Sequence, residues 1–369
     1  MKKVFILAGE LSGDQLAGWY LDHLKKQGQE VIAYGVGGDN LASHGAVLVE
    51  RYENLNITGI IEIIKHLPRL YRLLTILCTY ITQKEFDEVI VVDFPGFNLQ
   101  LIKRLKWQNP NIVITYLSPP QLWCWGQWRL RSLKRYCNNV IVLYPFEVAW
   151  YKERDVNATW IGNPHVERVL PYCTTTDTKE NKIALIPGSR SGEIEKLLPL
   201  LLKTVSVVQK EHPDTRFILP LARSIPEQFF HACVKKHHLE ATLPFIDIIA
   251  DDDKKWTTLG SCCAALSKPG TVTLELALLQ VPTIVFYKTS WLTYFLAKMV
   301  AHVSQMALPN LLLQRTIFKE FVQYNVTPQA MGKELSLLIT SWETQSDSYK
   351  KQITDCQEIT TLLSNTPKK

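Results

Sequence analysis

Short apolar runs that stop at a glycine turn and restart as a helix recur along this chain, and they leave few folds open. The sharpest example is KIALIPGSRSGEIE, Lys182 to Glu195. Ile183, Ala184, Leu185 and Ile186 read as a buried strand, Pro187-Gly188 break it, and a helix begins near Glu193. Gly188 permits a tight turn and close backbone approach, Ser189 offers a hydroxyl, and Arg190 offers a planar fork that fits phosphate. The N-terminus of the new helix adds free N–H groups and the positive end of its dipole, so the turn suits an anion. An ordinary strand-to-helix loop with a surface arginine would read the same from sequence.

The N-terminal half follows the same plan. VFILA (Val4 to Ala8) is a buried strand, then GELSGD, then a helix from about Gln15 to Lys26. Glu10 and Ser12 therefore lie in a Gly-rich turn at the carboxyl end of a strand, where open parallel sheets place ligands. VIAYGVGG (Val31 to Gly38) repeats the unit. In EVIVVDFPGFN, Val89 to Val92 form a strand covered on both faces, and Asp93 stands at its carboxyl end before the Pro95-Gly96 turn. A carboxylate there can act as a general base or cap the following helix. The apolar wall of Phe94, Pro95 and Phe97, with Asn98, favours the base.

Two stretches bear on lipid. From Asn56 to Gln83 apolar residues recur at helical spacing, interleaved with Lys65, His66, Arg69 and Arg72, and Pro68 is expected to divide the stretch into two helices. That pattern fits a pair of amphipathic helices packed on the sheet, and equally a basic apolar face on an anionic membrane. Ser118 to Arg129 carries Trp123, Trp125 and Trp128 beside Gln127, Arg129 and Arg131. These rings can stack on a sugar, sit at a lipid interface, or fill the core.

A length of 369 residues suits two domains. The first runs over residues 1–173, Thr174 to Asn181 is a polar linker, the second covers 182–345, and 346–369 is a helical tail. The net charge of +6 is mild and no Lys/Arg run suggests nucleic-acid binding. The N-terminal apolar run is too short for a signal peptide, and no stretch reaches the ~20 apolar residues of a spanning helix. The eight cysteines lack CxxC spacing and suit free thiols in a reducing cytoplasm. Asp251 to Asp253, followed by two lysines, reads as a solvated turn rather than a metal site.

In the second half, strands are expected at 182–186, 217–219, 245–249, 264–266 and 283–286 with helices between them, which implies a parallel sheet. Beyond Pro309-Asn310 the chain reads as helical to a frayed end. SKPGTVTLE opens a helix at Gly270-Thr271, and Glu275, four residues on, faces the same side. The hydroxyl and N-terminal amides suit a diphosphate, and the carboxylate suits ribose hydroxyls. Neither this loop nor that at Gly188 has P-loop spacing.

Seven motifs occur in order: AGELSGD, VDFPGFN, SPPQLWCW, PFE, PGSRSGEIE, PGTVTLE and LPNLLLQR. Together they closely resemble the lipid-A-disaccharide synthases over essentially the whole chain. The resemblance implies an α/β fold of two Rossmann-like domains with parallel sheets, the B-type glycosyltransferase fold, with a ligand cleft between them and neither metal nor cofactor. It implies transfer of 2,3-diacylglucosamine from its UDP carrier to 2,3-diacylglucosamine 1-phosphate, releasing UDP, with Asp93 as the base. It assigns Gly188, Ser189, Arg190, Glu193, Gly270, Thr271, Glu275 and Asn310 to the UDP-sugar. Glu10, Ser12, Asn98, Trp123, Trp125, Lys65, Arg69 and Arg72 fall to the acceptor or lipid side. It further implies a peripheral protein on the cytoplasmic face of the inner membrane and a homodimer with exchanged C-terminal segments. Gly96, Asn163 and Pro269 depart from the family pattern, where Asp, His and a small residue are common. A UDP-N-acetylglucosamine 2-epimerase, or a UDP-sugar-binding protein without chemistry, would share the fold.

Overall fold

The computed structural model describes residues 1–55, 60–175, 178–222, 225–250, 252–300, 303 and 305–364. The chain divides into two compact units that meet in sequence at Pro164/His165. The first contains β1 (Lys2–Ala8), α1 (Leu11–Lys26), β2 (Val31–Gly37), α2 (Asp39–Ser43), β3 (Val47–Arg51), α3 (Ile60–Lys84), β4 (Glu88–Val92), α4 (Pro95–Gln108), β5 (Val113–Leu117), α5 (Leu130–Tyr136), β6 (Asn139–Val142), α6 (Pro145–Lys152) and β7 (Ala158–Trp160). Its seven strands are all parallel, in the order β3-β2-β1-β4-β5-β6-β7.

Alternation along each strand sends successive side chains to opposite faces, and both faces are covered. Phe5, Leu7, Val89, Val91, Ile114 and Tyr116 pack with Leu77, Ile81, Leu101 and Leu105 from α3 and α4. Val4, Ile6, Ile90 and Val92 pack with Leu16, Ala17, Leu21 and Leu24 from α1. That double cover is why β4 reads as an uninterrupted apolar run after Glu88. Glu88 itself is buried but paired, with Lys2 Nζ at 2.7 Å and with the Thr115 hydroxyl.

The second unit contains α7 (Pro164–Val169), β8 (Glu180–Ile186), α8 (Ser191–Glu211), β9 (Arg216–Pro220), α9 (Glu227–Lys236), β10 (Ile246–Ile249), α10 (Asp252–Ser261), β11 (Cys262–Ser267), α11 (Thr271–Leu278), β12 (Thr283–Tyr287), α12 (Trp291–Val300), α13 (Leu308–Leu313), β13 (Glu320–Val322), α14 (Pro328–Glu343) and α15 (Asp347–Ser364). Its sheet is parallel in the order β10-β9-β8-β11-β12-β13. One face packs Ile183, Leu185, Phe217 and Leu219 against apolar residues of α8, α9 and α14. α15 is held to the same unit, with the Tyr349 hydroxyl on the Cys263 carbonyl at 3.1 Å and Arg315 on Asp355 at 2.6 Å.

The structure departs from the sequence reading at several places: α1 begins at Leu11, so Ser12 lies in its first turn and not in the loop before it, and Asp252 and Asp253 open α10. α3 runs unbroken through Pro68: proline removes one backbone bond and costs ~3 kcal/mol, but Leu74, Leu77, Cys78 and Ile81 bury one side of the helix, which offsets that cost. The strands β3 and β13 are additional; β13 interrupts the C-terminal helices and pairs with β12. α7 and the turn after it, which the boundary at 173 leaves with the first half, belong to the second unit, because His165 and Arg168 bond to Glu275. The expected C-terminal helix is α15, and it packs on the second unit. Asn56 to Gly59, Asp251 and the last five residues lie outside the described residues.

Candidate active site

In both sheets the strand order reverses once, between β1 and β4 in the first and between β8 and β11 in the second. Such a reversal opens a crevice beyond the carboxyl ends of the two strands, the usual ligand position in open α/β sheets. The candidate residues stand at these reversals: Glu10 after β1, Asp93 after β4, Gly188 to Arg190 after β8, and Gly270-Thr271 after β11.

Asp93 and Phe94 both adopt left-handed backbone conformations, with φ of 43° and 45°. For non-glycine residues this costs of order 1–3 kcal/mol each, so the surroundings must hold it. The Asp93 N–H donates to the Leu117 carbonyl at 3.0 Å. Its carbonyl accepts from Asn98 Nδ2 at 2.7 Å and from the Tyr116 hydroxyl at 2.8 Å. Asn98 Nδ2 also donates to Val92 O at 3.1 Å. The Phe94 ring lies over Gly9, where a Cβ would come within 2.4 Å of it, and this brings the Glu10 loop beside Asp93. Burial, then the Glu10 charge, push the Asp93 carboxyl up to about 6, against a hydrogen bond from the Phe94 N–H. A carboxylate with that affinity for protons is suited to accept one near neutral pH.

Phe94, the residue after Asp93, lines a cavity of about 760 Å³ together with Leu55, Leu70, Leu74, Phe97, Gln100 and Arg104 among others. Apart from Gln100 and Arg104 the lining is mostly apolar. The size is that of a small-molecule site.

Other residues expected on this side are placed differently from one another. Ser12 is exposed and bonds Glu10 at 3.0 Å. Asn98 is fully buried, and its Nδ2 supports Asp93. Trp123 is also buried; its Nε1 donates to Glu147 at 2.9 Å, and it packs edge-on to Phe146. Glu147 is held by the Tyr144 and Leu143 N–H groups as well, yet burial drives it up to about 7. The cluster of tryptophans thus separates into Trp123 in the core and an exposed pair, Trp125 and Trp128, with the Arg129 guanidinium 4.6 Å from the Trp125 ring. Arg69 is exposed and bonds Asn54 at 3.0 Å, and Arg72 is exposed; the Lys65 side chain lies outside the described residues.

In the second unit Gly188 (φ 118°) and Gly270 (φ 144°) hold backbone conformations that side chains disfavour. Ser189, Arg190, Gly270 and Thr271 are exposed, which leaves the N-terminal turns of α8 and α11 open. Glu193 accepts from Lys268 Nζ at 2.7 Å and lies 3.6 Å from Arg190. Glu275 is buried, lies 3.1 Å from His165 Nδ1 and accepts from Arg168. Burial acts to raise its pKa, but the His165 bond and the charges of His165, Lys255 and Arg168 outweigh it, so the carboxyl stays below the usual range.

Asn310 is a correction. It is fully buried: its Nδ2 donates to Phe318 O and to Glu320 at 2.8 Å each, while its Oδ1 accepts from the Ile317 and Phe318 N–H groups at 2.9 Å. The amide is saturated, so it fastens the loop before β13 and has nothing left for a ligand. Sequence reasoning also passed over Tyr116, His165, Arg168 and Lys268, whose roles come from tertiary neighbours. Among the described residues no three His, Cys, Asp or Glu side chains cluster as metal ligands. No described helix is long and apolar enough to cross a membrane.

A family model described as lipid-A-disaccharide synthetase matches residues 4–368. The chain belongs to the lipid-A-disaccharide synthase family. Within it, the synthase of Coxiella burnetii (strain Dugway 5J108-111) is 31% identical over 352 residues, covering 92% of this chain and 89% of that protein. The synthase of Anaeromyxobacter dehalogenans (strain 2CP-1) is 30% identical over 344 residues, covering 91% and 88%. Membership makes the protein a glycosyltransferase of lipid A biosynthesis and decides against the epimerase and the binder without chemistry. Solved structures share the fold alone. A putative UDP-N-acetylglucosamine 2-epimerase from Listeria monocytogenes aligns with a TM-score of 0.60 at 11% identity, covering 96% of this chain and 91% of that one. MurG of Acinetobacter baumannii aligns with a TM-score of 0.56 at 13% identity, covering 99% of both. The two parallel-sheet domains are those of the B-type glycosyltransferases.

Proposed function

We propose that this synthase transfers 2,3-diacylglucosamine from UDP to the 6-hydroxyl of 2,3-diacylglucosamine 1-phosphate, with inversion at the anomeric carbon and Asp93 as general base. The observation that carries the assignment is the Asp93 carboxyl, pushed up to about 6 at the strand reversal, with the next residue, Phe94, lining a large and mostly apolar cavity. The acceptor oxygen attacks the anomeric carbon, the UDP oxygen leaves with the bonding pair, and the hydroxyl proton passes to Asp93. Asn98 and Tyr116 hold the base through its carbonyl, so its direction is set before the acceptor arrives.

The diphosphate fits the open turns at Gly188 to Arg190 and at Gly270-Thr271, where two helix N-termini and Arg190 oppose the charge that develops on the leaving group. Glu275, held by His165 and Arg168, would take the ribose hydroxyls. The cavity lined by α3 and α4 suits an acyl chain of the acceptor, which a soluble sugar would not need. Exposed Tyr71, Ile76, Arg69 and Arg72 on α3, together with Trp125 and Trp128, suit the cytoplasmic surface of the inner membrane. An exchange of C-terminal segments would pass the α15 contacts to a partner and give a homodimer.

The Asp93→Ala variant tests the base. It should lose transfer while keeping its affinity for UDP. Transfer at the wild-type rate would remove Asp93 from the chemistry.

A further inference from the structure

The strand reversal of the second sheet contains a cation that none of the family motifs names. Lys268 follows β11, two residues before Gly270, and its N–H donates to the Ile186 carbonyl at 3.1 Å, which fixes it beside the end of β8. Its side chain then runs across the neighbouring turn. A Cβ on Gly188 would stand 2.9 Å from Lys268 Cδ and 2.4 Å from Glu193 Oε2. The ammonium ends 2.7 Å from Glu193 Oε1, in the first turn of α8. Only a fifth of the lysine side chain is exposed, so the amine is held over the turn and not free in solvent.

Glu193 is the anomaly. A carboxylate in the first turn of a helix meant to receive a diphosphate would repel it, and an ionised carboxylate cannot donate to phosphate oxygens. It makes sense as the group that holds a lysine in place. Both cations meet the same oxygen: Glu193 Oε1 accepts from Lys268 Nζ at 2.7 Å and lies 3.6 Å from Arg190 Nη1, while Oε2, against Gly188, is buried without a hydrogen-bond partner. The three together keep one positive charge in excess at the turn. An ammonium has three donors, and Glu193 takes one.

We infer that Lys268 is a direct ligand of the donor's diphosphate, reaching from the β11 turn across Gly188, and that Glu193 positions it and does not itself contact the nucleotide. This rests on the UDP-sugar reading of the second unit. On this reading Glu193 acts by position rather than by contact, and Lys268 adds a cation to Arg190 that helps to stabilise the leaving UDP.

Calorimetric titration of the purified full chain with UDP and with uridine tests this. Lys268→Met should weaken UDP ten- to hundredfold, the range for loss of a charge-assisted contact, and leave uridine affinity unchanged. The variant also leaves Glu193 unpaired, whose repulsion alone could weaken UDP, so the double variant Lys268→Met/Glu193→Gln decides the matter. UDP binding that stays weak in the double variant supports direct contact. Recovery of wild-type affinity in it overturns the assignment, since Lys268 would then only neutralise Glu193. Wild-type UDP affinity in Lys268→Met overturns it equally. Failure of the wild-type chain to bind UDP overturns the donor-site reading itself, and this assignment with it.

Discussion

The strongest consequence of the Asp93 environment is that the residue proposed for chemistry destabilises the fold. Moving a carboxyl from its ordinary 3.8 to about 6 corresponds to about 3 kcal/mol of bias against the charged form in the folded state. Asp93 is partly exposed, and solvent screening lowers this to roughly 1–3 kcal/mol. The folded pKa lies above the unfolded one, so the folded protein retains a proton that the unfolded chain releases. The penalty is therefore absent below about pH 4, grows as pH rises, and is complete above about pH 6. Asp93→Asn removes the charge and keeps the shape, and asparagine tolerates the left-handed backbone at φ 43°. Thermal unfolding at pH 4 and pH 8, at equal ionic strength, reads the effect. At about 2–4 °C per kcal/mol for a unit of this size, the variant's Tm should exceed wild type by about 2–12 °C at pH 8, with no gain at pH 4. Transfer should be lost throughout. A variant less stable than wild type at pH 8, or stabilised equally at both pH values, would refute the argument from burial.

Two further outcomes follow from the same electrostatics. Glu10→Gln removes the like charge that helps to raise Asp93, so the acid limb of the pH profile of kcat/KM should move to lower pH. An unmoved limb would mean that Asp93 does not set it. Trp123→Phe deletes a bond to the buried Glu147 carboxyl, already raised to about 7, and raises it further. The loss of stability should be about 1–3 kcal/mol at pH 8 and smaller at pH 6, where Glu147 is protonated. Equal loss at both pH values in denaturant titrations would contradict this.

The fold was legible where strands are covered on both faces. EVIVV, VFILA and KIALI are apolar throughout because a parallel sheet hides both sides. The edges were not legible. In β3, Val47 and Val49 are exposed, so VLVER has no buried run, and β13 has three residues. Pro68 was overvalued because a local penalty was weighed without the burial along α3 that outweighs it. The positions of Asp93, Gly188, Arg190 and Gly270 at the strand ends could be read, since a turn directly after a buried strand is conspicuous in sequence. Asn98 and Asn310 could not be told from ligand contacts: an amide that satisfies backbone groups in the core and one that faces a substrate are the same letter. Trp123 differs from Trp125 only in what surrounds it. Lys268, His165 and Arg168 carry no local signal, because each acts on a carboxylate brought near by the fold.

The central claim is the reaction, and the most direct measurement is of its product. Purified protein is incubated with UDP-2,3-diacylglucosamine and 2,3-diacylglucosamine 1-phosphate, with and without EDTA, and disaccharide and UDP are quantified. The account predicts equal amounts of disaccharide 1-phosphate and UDP, undiminished by EDTA, from wild type and none from Asp93→Ala. Folded, UDP-binding protein that forms no disaccharide, or that forms it only when a divalent cation is restored, would contradict it.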